Sequence, residues 1–226
     1  MNADRIANSY RWLEYAAFGL ALENARFDFL SHAVEARSVL ILGEGDGRFL
    51  ARLLECNRQA SITVLETSAR MIDLARGRLQ EADHLRVKFH QVDAVTCVLP
   101  DGQFDLVVTH FFFDVLDSRD AEAVIGKVSA ALSPGAVWLV SEFQEPTTAI
   151  RRLHARLWLW VMYGFFALAT GLRVRKLPPY REMLERCGLA EIEHRERRFS
   201  LIRSQVYFHT NLANSRSLRT RSTGKT

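Results

Sequence analysis

The sequence predicts an α/β fold: one seven-stranded sheet, five strands parallel and the last two an antiparallel hairpin, with helices on both faces and a helical lid. Three observations predict it. Short apolar runs alternate with helical patterns from Ser38 to Phe143, as βαβ units require. A glycine cluster separates the first run from the helix after it. The final two strand-like segments are joined too tightly for a crossover helix, so they must pair antiparallel.

The elements follow in order. Ser9 to Leu30 is a helical opening within an N-terminal cap, residues 1–37. SVLILG (Ser38–Gly43) is nearly continuous in apolar residues, which marks a strand covered on both faces. A helix is expected over Arg48–Cys56, a strand over Ser61–Glu66, and a helix over Ser68–Glu81, where Met71, Leu74, Ala75 and Leu79 recur on one face. Arg86–Val92 alternates as a third strand, and Phe104–Phe111 is a fourth, buried one. A helix over Asp120–Leu132 ends in the turn Ser133-Pro134-Gly135, and Ala136–Phe143 forms the fifth strand. Residues 147–177 read as a helical lid. Pro178-Pro179 then opens a helix that Gly188 stops after Cys187. Glu191–Phe199 and Leu201–Thr210 complete the sheet, so residues 1–210 form one domain and 211–226 a basic tail.

Composition narrows the function. The 226 residues are 48% apolar and 25% charged, an ordinary globular balance with no low-complexity stretch. The net charge is +4, and Arg216, Arg219, Arg221 and Lys225 in the tail supply all of it. A neutral body is not the footprint of a nucleic-acid binder; the tail reads as a disordered, solvated terminus or as a basic arm. Cys56, Cys97 and Cys187 are an odd number with no metal-ligand spacing, so a reducing compartment and no metal site are expected. The opening MNADRIANSYRW lacks an apolar core behind a basic start, so no secretory signal is read there and the cytoplasm is the expected location.

The candidate site starts at LGEGDGRF, where Gly43, Gly45 and Gly47 lie between strand and helix. Glycines there permit a sharp turn and close approach of a ligand to the free N–H groups of the helix start. The spacing is GxGxG; a dinucleotide fingerprint would need a glycine where Arg48 stands, which disfavours NAD. Three polar residues follow at carboxyl ends of strands, where open α/β sheets bind ligands: Glu66, Asp93 and His110. A carboxylate has acceptors and no donor, so Glu66 suits two ribose hydroxyls and Asp93 an exocyclic amine.

These residues resemble those of class I S-adenosylmethionine-dependent methyltransferases. Glu66-Thr67-Ser68-Ala69-Arg70-Met71 is similar to the family's D/E-x-S-x-x-M, which implies Glu66 on the ribose and Met71 on the adenine. Val92-Asp93-Ala94 resembles the acidic motif after the third strand, FDLVVTHFFFDVL that of the fourth, and LSPGAVWLVSEF the turn entering the fifth. The resemblance implies a Rossmann-like fold and S-adenosylmethionine as cofactor, bound by Gly43, Glu44, Gly45, Gly47, Glu66, Thr67, Met71, Asp93, Ala94 and His110. The family's acid two residues before the first glycine is here Ile41; Glu44 or Asp46 stands in the loop instead.

For the acceptor, His110 is the candidate base by intrinsic pKa, or else a ring that lines the cofactor pocket. Thr109-His110-Phe111-Phe112 is not the Asn/Asp-Pro-Pro-aromatic motif of enzymes that methylate exocyclic or amide nitrogen, and the acid pair that holds magnesium for catechols is missing. A small molecule is left as acceptor. Leu157–Leu172 is sixteen residues without a charge, flanked by Arg151, Arg152 and Arg156 and by Arg173, Arg175 and Lys176. That is shorter than the ~20 residues of a membrane span. Its outer side can face a hydrophobic acceptor, a partner subunit, a membrane surface or the core. Tyr10, Glu142, Tyr163 and Phe166 are the expected acceptor-pocket residues. LPPYREMLERCGL resembles the helix before the sixth strand of quinone C-methyltransferases, a layout similar to this one. The reading is thus a methyltransferase for an apolar or lipid-like small molecule. A noncatalytic cofactor-binding protein that uses the apolar helix as a partner surface is the alternative.

Overall fold

The computed structural model describes residues 20–100, 103–144, 177–197 and 200–210. Tyr10, Tyr163, Phe166, nearly all of the expected lid and the basic tail lie outside the described residues.

Seven strands form one sheet: β1 (Ser38–Leu42), β2 (Ser61–Glu66), β3 (Val87–Gln91), β4 (Phe104–His110), β5 (Leu132–Phe143), β6 (Leu189–Arg197) and β7 (Ile202–His209). Their order is β3-β2-β1-β4-β5-β7-β6. Neighbours from β3 to β5 pair parallel, and β7 pairs antiparallel with both β5 and β6. The helices are α1 (Ala21–Phe27), α2 (Arg48–Cys56), α3 (Ala69–Arg76), α4 (Ser118–Ala130) and α5 (Tyr180–Arg186).

Alternation along the strands sorts the core into two layers. Leu40 and Leu42 of β1 face Ala121, Val124, Ile125 and Val128 of α4 and Met183 and Leu184 of α5. Val39 and Ile41 face Phe49, Leu50, Leu53 and Leu54 of α2 on the other side. Both faces of β1 are therefore buried, which is why it is apolar without a break.

Several boundaries differ from expectation, two of them instructively. The third helix ends at Arg76, five residues before Glu81; Gly77 closes it through N–H bonds to Asp73 O and Ala75 O. Glu81–Asp83 then forms its own 3-10 turn, closed by a capping box between Gln80 and Asp83. Ser133-Pro134-Gly135 does not precede β5 but interrupts it: Leu132 already pairs with Phe104, and regular pairing resumes at Leu106–Val137.

Strand order reverses at β1, whose neighbours β2 and β4 lead to opposite edges of the sheet. Their carboxyl ends open a crevice there, the place where this architecture binds ligands.

Candidate functional site

That crevice is a cleft of about 270 Å³. Gly43, Glu44, Gly45, Glu66, Thr67, Met71, Asp93, Ala94 and His110, all named from sequence, line it. Gly47 and Glu142, named with them, do not.

The glycine loop follows β1. Gly43 and Gly45 have φ of +67° and +68°, in the left-handed region that side chains disfavour. A Cβ on Gly45 would meet nothing within 4 Å, so this backbone is open to an approaching ligand. Gly47 has a different task. A Cβ there would fall 2.5 Å from Ala75 Cα, so Gly47 lets the start of α2 pack on α3.

Loop and strand ends hold each other. Gly45 N–H donates to Glu66 Oε2 (3.2 Å) and Ser68 N–H to Glu66 Oε1 (3.0 Å), which fixes the carboxylate at the cleft before any ligand arrives. Ser68 caps α3 by accepting from Met71 N–H (3.1 Å), and that cap seats Met71 in the cleft wall. Asp93 Oδ1 accepts from Val95 N–H (2.8 Å). Lys127 of α4 pins the same loop, with Nζ donating to the carbonyls of Ala94 (2.7 Å), Val95 (3.1 Å) and Cys97 (2.7 Å).

Of the two loop acids, Asp46 is already committed. Its Oδ1 pairs with Arg48 Nε (2.9 Å) and its Oδ2 with Arg78 Nη2 (3.0 Å). Glu44 accepts the Leu50 N–H (2.8 Å), and burial pushes its carboxyl up to about 8. At neutral pH it is a hydrogen-bonding acid rather than a counter-charge.

The His110 imidazole is held well below its usual pKa range. Burial first, then the Arg26 guanidinium, lowers it to about 3. Its ring stands edge-on to Phe49 with centroids 4.7 Å apart. The imidazole is neutral, and a proton taken there would create a charge that its surroundings oppose.

Arg26 is the lining residue that sequence reasoning missed. α1 brings it there because Ala25 O accepts the hydroxyls of Ser141 (3.0 Å) and Ser204 (2.9 Å), and because Asp28 pairs with Arg195 (2.9 Å) and Arg197. Its guanidinium lies 5.1 Å from the centroid of Phe111, another cleft residue. No local pattern marks one arginine in a helix for this role; two serines on β5 and β7 do.

Glu142 was expected at an acceptor pocket but is fully buried, and its Oε1 accepts the N–H groups of Phe112 (2.8 Å) and Phe113 (2.7 Å). Alternation explains this: Trp138, Val140 and Glu142 share the face that α4 and α5 cover. Among the described residues no group of three or more His, Cys, Asp or Glu could hold a metal ion. Nor is any helix among them long and apolar enough to cross a membrane.

Residues 39–135 match the model of a family described as a methyltransferase domain, a span that carries the glycine loop, Glu66 and Asp93. The similarity to that family covers less than half of the chain, the part that runs from β1 through α4. Among individual proteins it is 32% identical over 136 residues to a demethylmenaquinone methyltransferase of Thermus thermophilus, covering 60% of this chain and 56% of that protein. With the Deinococcus radiodurans demethylmenaquinone methyltransferase it is 29% identical over 126 residues, 56% of this chain and 50% of that one. The matching segment thus spans about half the length of these curated relatives. Of solved structures, a magnesium protoporphyrin IX methyltransferase from Synechocystis PCC 6803, crystallised with bound S-adenosylhomocysteine, superposes with a TM-score of 0.66 at 16% identity, over 92% of this chain and 97% of that one.

Proposed function

We propose that the protein transfers a methyl group from S-adenosylmethionine to a small apolar acceptor of the quinone-like or lipid-like class. The observation that carries the cofactor half is the convergence of Gly43, Gly45, Glu66, Met71 and Asp93 on one cleft at the switch point of the sheet. When bound, the cofactor supplies a sulfonium methyl to an in-line nucleophile. Glu66, held by the Gly45 and Ser68 amides, accepts from the ribose hydroxyls. Asp93 accepts from the adenine amine, with Met71 and Ala94 packed on the ring. Arg26, beside Phe111 in the cleft lining, pairs with the methionine carboxylate. His110 closes the wall as a neutral ring, so the chain provides proximity and exclusion of water rather than an imidazole base.

The acceptor half rests on two supports: the demethylmenaquinone methyltransferases among the relatives and the uncharged sixteen-residue stretch Leu157–Leu172. Incubation of the full chain with methyl-labelled cofactor and a lipid and quinone extract, followed by mass spectrometry, tests the proposal. A labelled product in the apolar fraction is expected. Cofactor binding with no labelled product from any fraction would favour the noncatalytic reading, and label only in polar metabolites would reject an apolar acceptor.

A further inference from the structure

We propose that Glu142 and Asp114 hold one proton between them, and that this buried acid pair positions the aromatic wall of the cofactor cleft. Neither residue lines the cleft. Glu142 is 0% exposed and Asp114 8%. Glu142 Oε2 and Asp114 Oδ1 are both buried, and among the described residues neither has a hydrogen-bond partner. Two anions in one dry pocket repel, while two oxygens without donors leave acceptors unsatisfied. One proton resolves both: the protonated carboxyl donates to the ionised one, and each orphan oxygen gains a partner. Burial raises the pKa of both groups, and the Asp114 charge adds to the rise at Glu142. The proton belongs to the pair rather than to either residue.

The charged groups nearest the pair bond elsewhere through their ends. Arg203 stands opposite Glu142 in the β5–β7 register; its terminal nitrogens turn to Glu191 (2.6 Å) and Glu196 (3.2 Å), and its buried Nε has no hydrogen-bond partner among the described residues. Arg181 also pairs with Glu191 (3.4 Å). Tyr180 faces the pair from α5 and feels the Glu142 charge, and its phenol donates to Gln205 (2.7 Å). Tyr207 lies beyond it and receives the Gln205 amide (2.7 Å).

What the pair positions follows from the chain after β4. Phe111 turns it with φ +54°, its N–H donated to Ser141 O (2.7 Å), and the next two N–H groups go to Glu142 Oε1. The two following rings meet edge to face, centroids 5.6 Å apart, and each packs on a different further neighbour. Phe112 lies against the glycine loop, with its Cδ2 2.9 Å from where a Cβ on Gly43 would be. Phe113 stacks on Tyr180, centroids 5.3 Å apart at 10°. Glu142 is a positioning residue: through two amides it sets the ring that bounds the first glycine of the cleft. The effect on cofactor affinity rests on the methyltransferase reading above; the shared proton does not.

Infrared spectroscopy of the full chain tests the proton directly. A protonated-carboxyl carbonyl band is expected at neutral pH and should fade on titration to alkaline pH. Glu44 would give a band too, so spectra are recorded in wild type and in Glu44→Gln, where the pair's band should remain. In the Glu44→Gln background, Glu142→Gln and Asp114→Asn should each abolish it, because the amide donates in place of the shared proton and the remaining carboxyl ionises. A band that survives both variants, or that only one removes, overturns sharing. Should either variant fail to fold, a Glu44→Gln spectrum without a protonated-carboxyl band at neutral pH overturns it equally.

Calorimetry with S-adenosylhomocysteine reads the consequence. In the Glu44→Gln background, where the cleft acid no longer titrates, affinity should fall at alkaline pH, whereas adding Glu142→Gln should keep it within about threefold across the range and adding Glu142→Leu should lose about tenfold or more at neutral pH. Equal losses for the Gln and Leu variants would overturn the positioning role. Wild type that binds no S-adenosylhomocysteine at any pH would sink the cofactor reading while leaving the infrared result to decide the pair.

Discussion

Gly47→Ala separates a packing glycine from a ligand-facing one. The residue has φ +84°, where a non-glycine residue costs roughly 1–2 kcal/mol. Its new Cβ would sit 2.5 Å from Ala75 Cα and 2.8 Å from Ala75 Cβ. Neither atom can rotate away, so α2 and α3 must separate, an overpacking cost of about 1–3 kcal/mol. The sum is roughly 2–5 kcal/mol, a large part of a domain's ~5–15 kcal/mol. At about 2–4 °C per kcal/mol for a chain of this size, the melting temperature should drop by about 4–20 °C. Gly45→Ala is the control: its φ is also positive, but its Cβ would touch nothing within 4 Å. It should lose only the conformational 1–2 kcal/mol, roughly, while weakening cofactor binding at the cleft. Urea unfolding of both variants beside wild type measures the difference. Equal destabilisation of the two would refute the packing argument.

Three further outcomes are expected. Glu66→Ala should weaken S-adenosylmethionine binding by about 10- to 100-fold in calorimetry, since charge-assisted hydrogen bonds contribute about 1.5–3 kcal/mol each; unchanged affinity would remove Glu66 from the site. The pH–rate profile should carry no inflection from His110 between pH 5 and 9, roughly, because its pKa lies near 3; an inflection lost in His110→Asn would restore the imidazole as base. Glu44, raised from 4.5 to about 8 in the fold, binds its proton more tightly folded than unfolded. The stability it contributes is therefore full below its unfolded pKa and lost as pH rises to about 8. Urea midpoints measured across that range should fall less steeply in Glu44→Gln than in wild type.

The strands were legible where burial is two-sided. β1 and β4 read as nearly continuous apolar runs because helices cover both faces, and the polar residues that end β2 and β4 therefore stood out. The overlong third helix had a physical cause: Leu79 keeps the helical period yet packs from a turn beyond Gly77. Position at a strand's end shows which end of the sheet a side chain serves, not which face it takes. Ser141 and Glu142, adjacent at the end of β5, illustrate this: one holds α1 and the other the turn after β4. Gly47 looked like a binding glycine because its reason, Ala75, lies 28 positions further along the chain. Arg26 and Lys127 act through docked helices, and no spacing rule reports that docking.

Hydrogen–deuterium exchange of the full chain with and without S-adenosylmethionine tests the cofactor cleft most directly, because it locates binding on the backbone. Slowed exchange is expected in three segments, Gly43–Gly47, Glu66–Met71 and Asp93–Cys97, with the β6–β7 hairpin unchanged. Binding that protects other segments instead, or no protection at saturating cofactor, would contradict the assignment of this cleft.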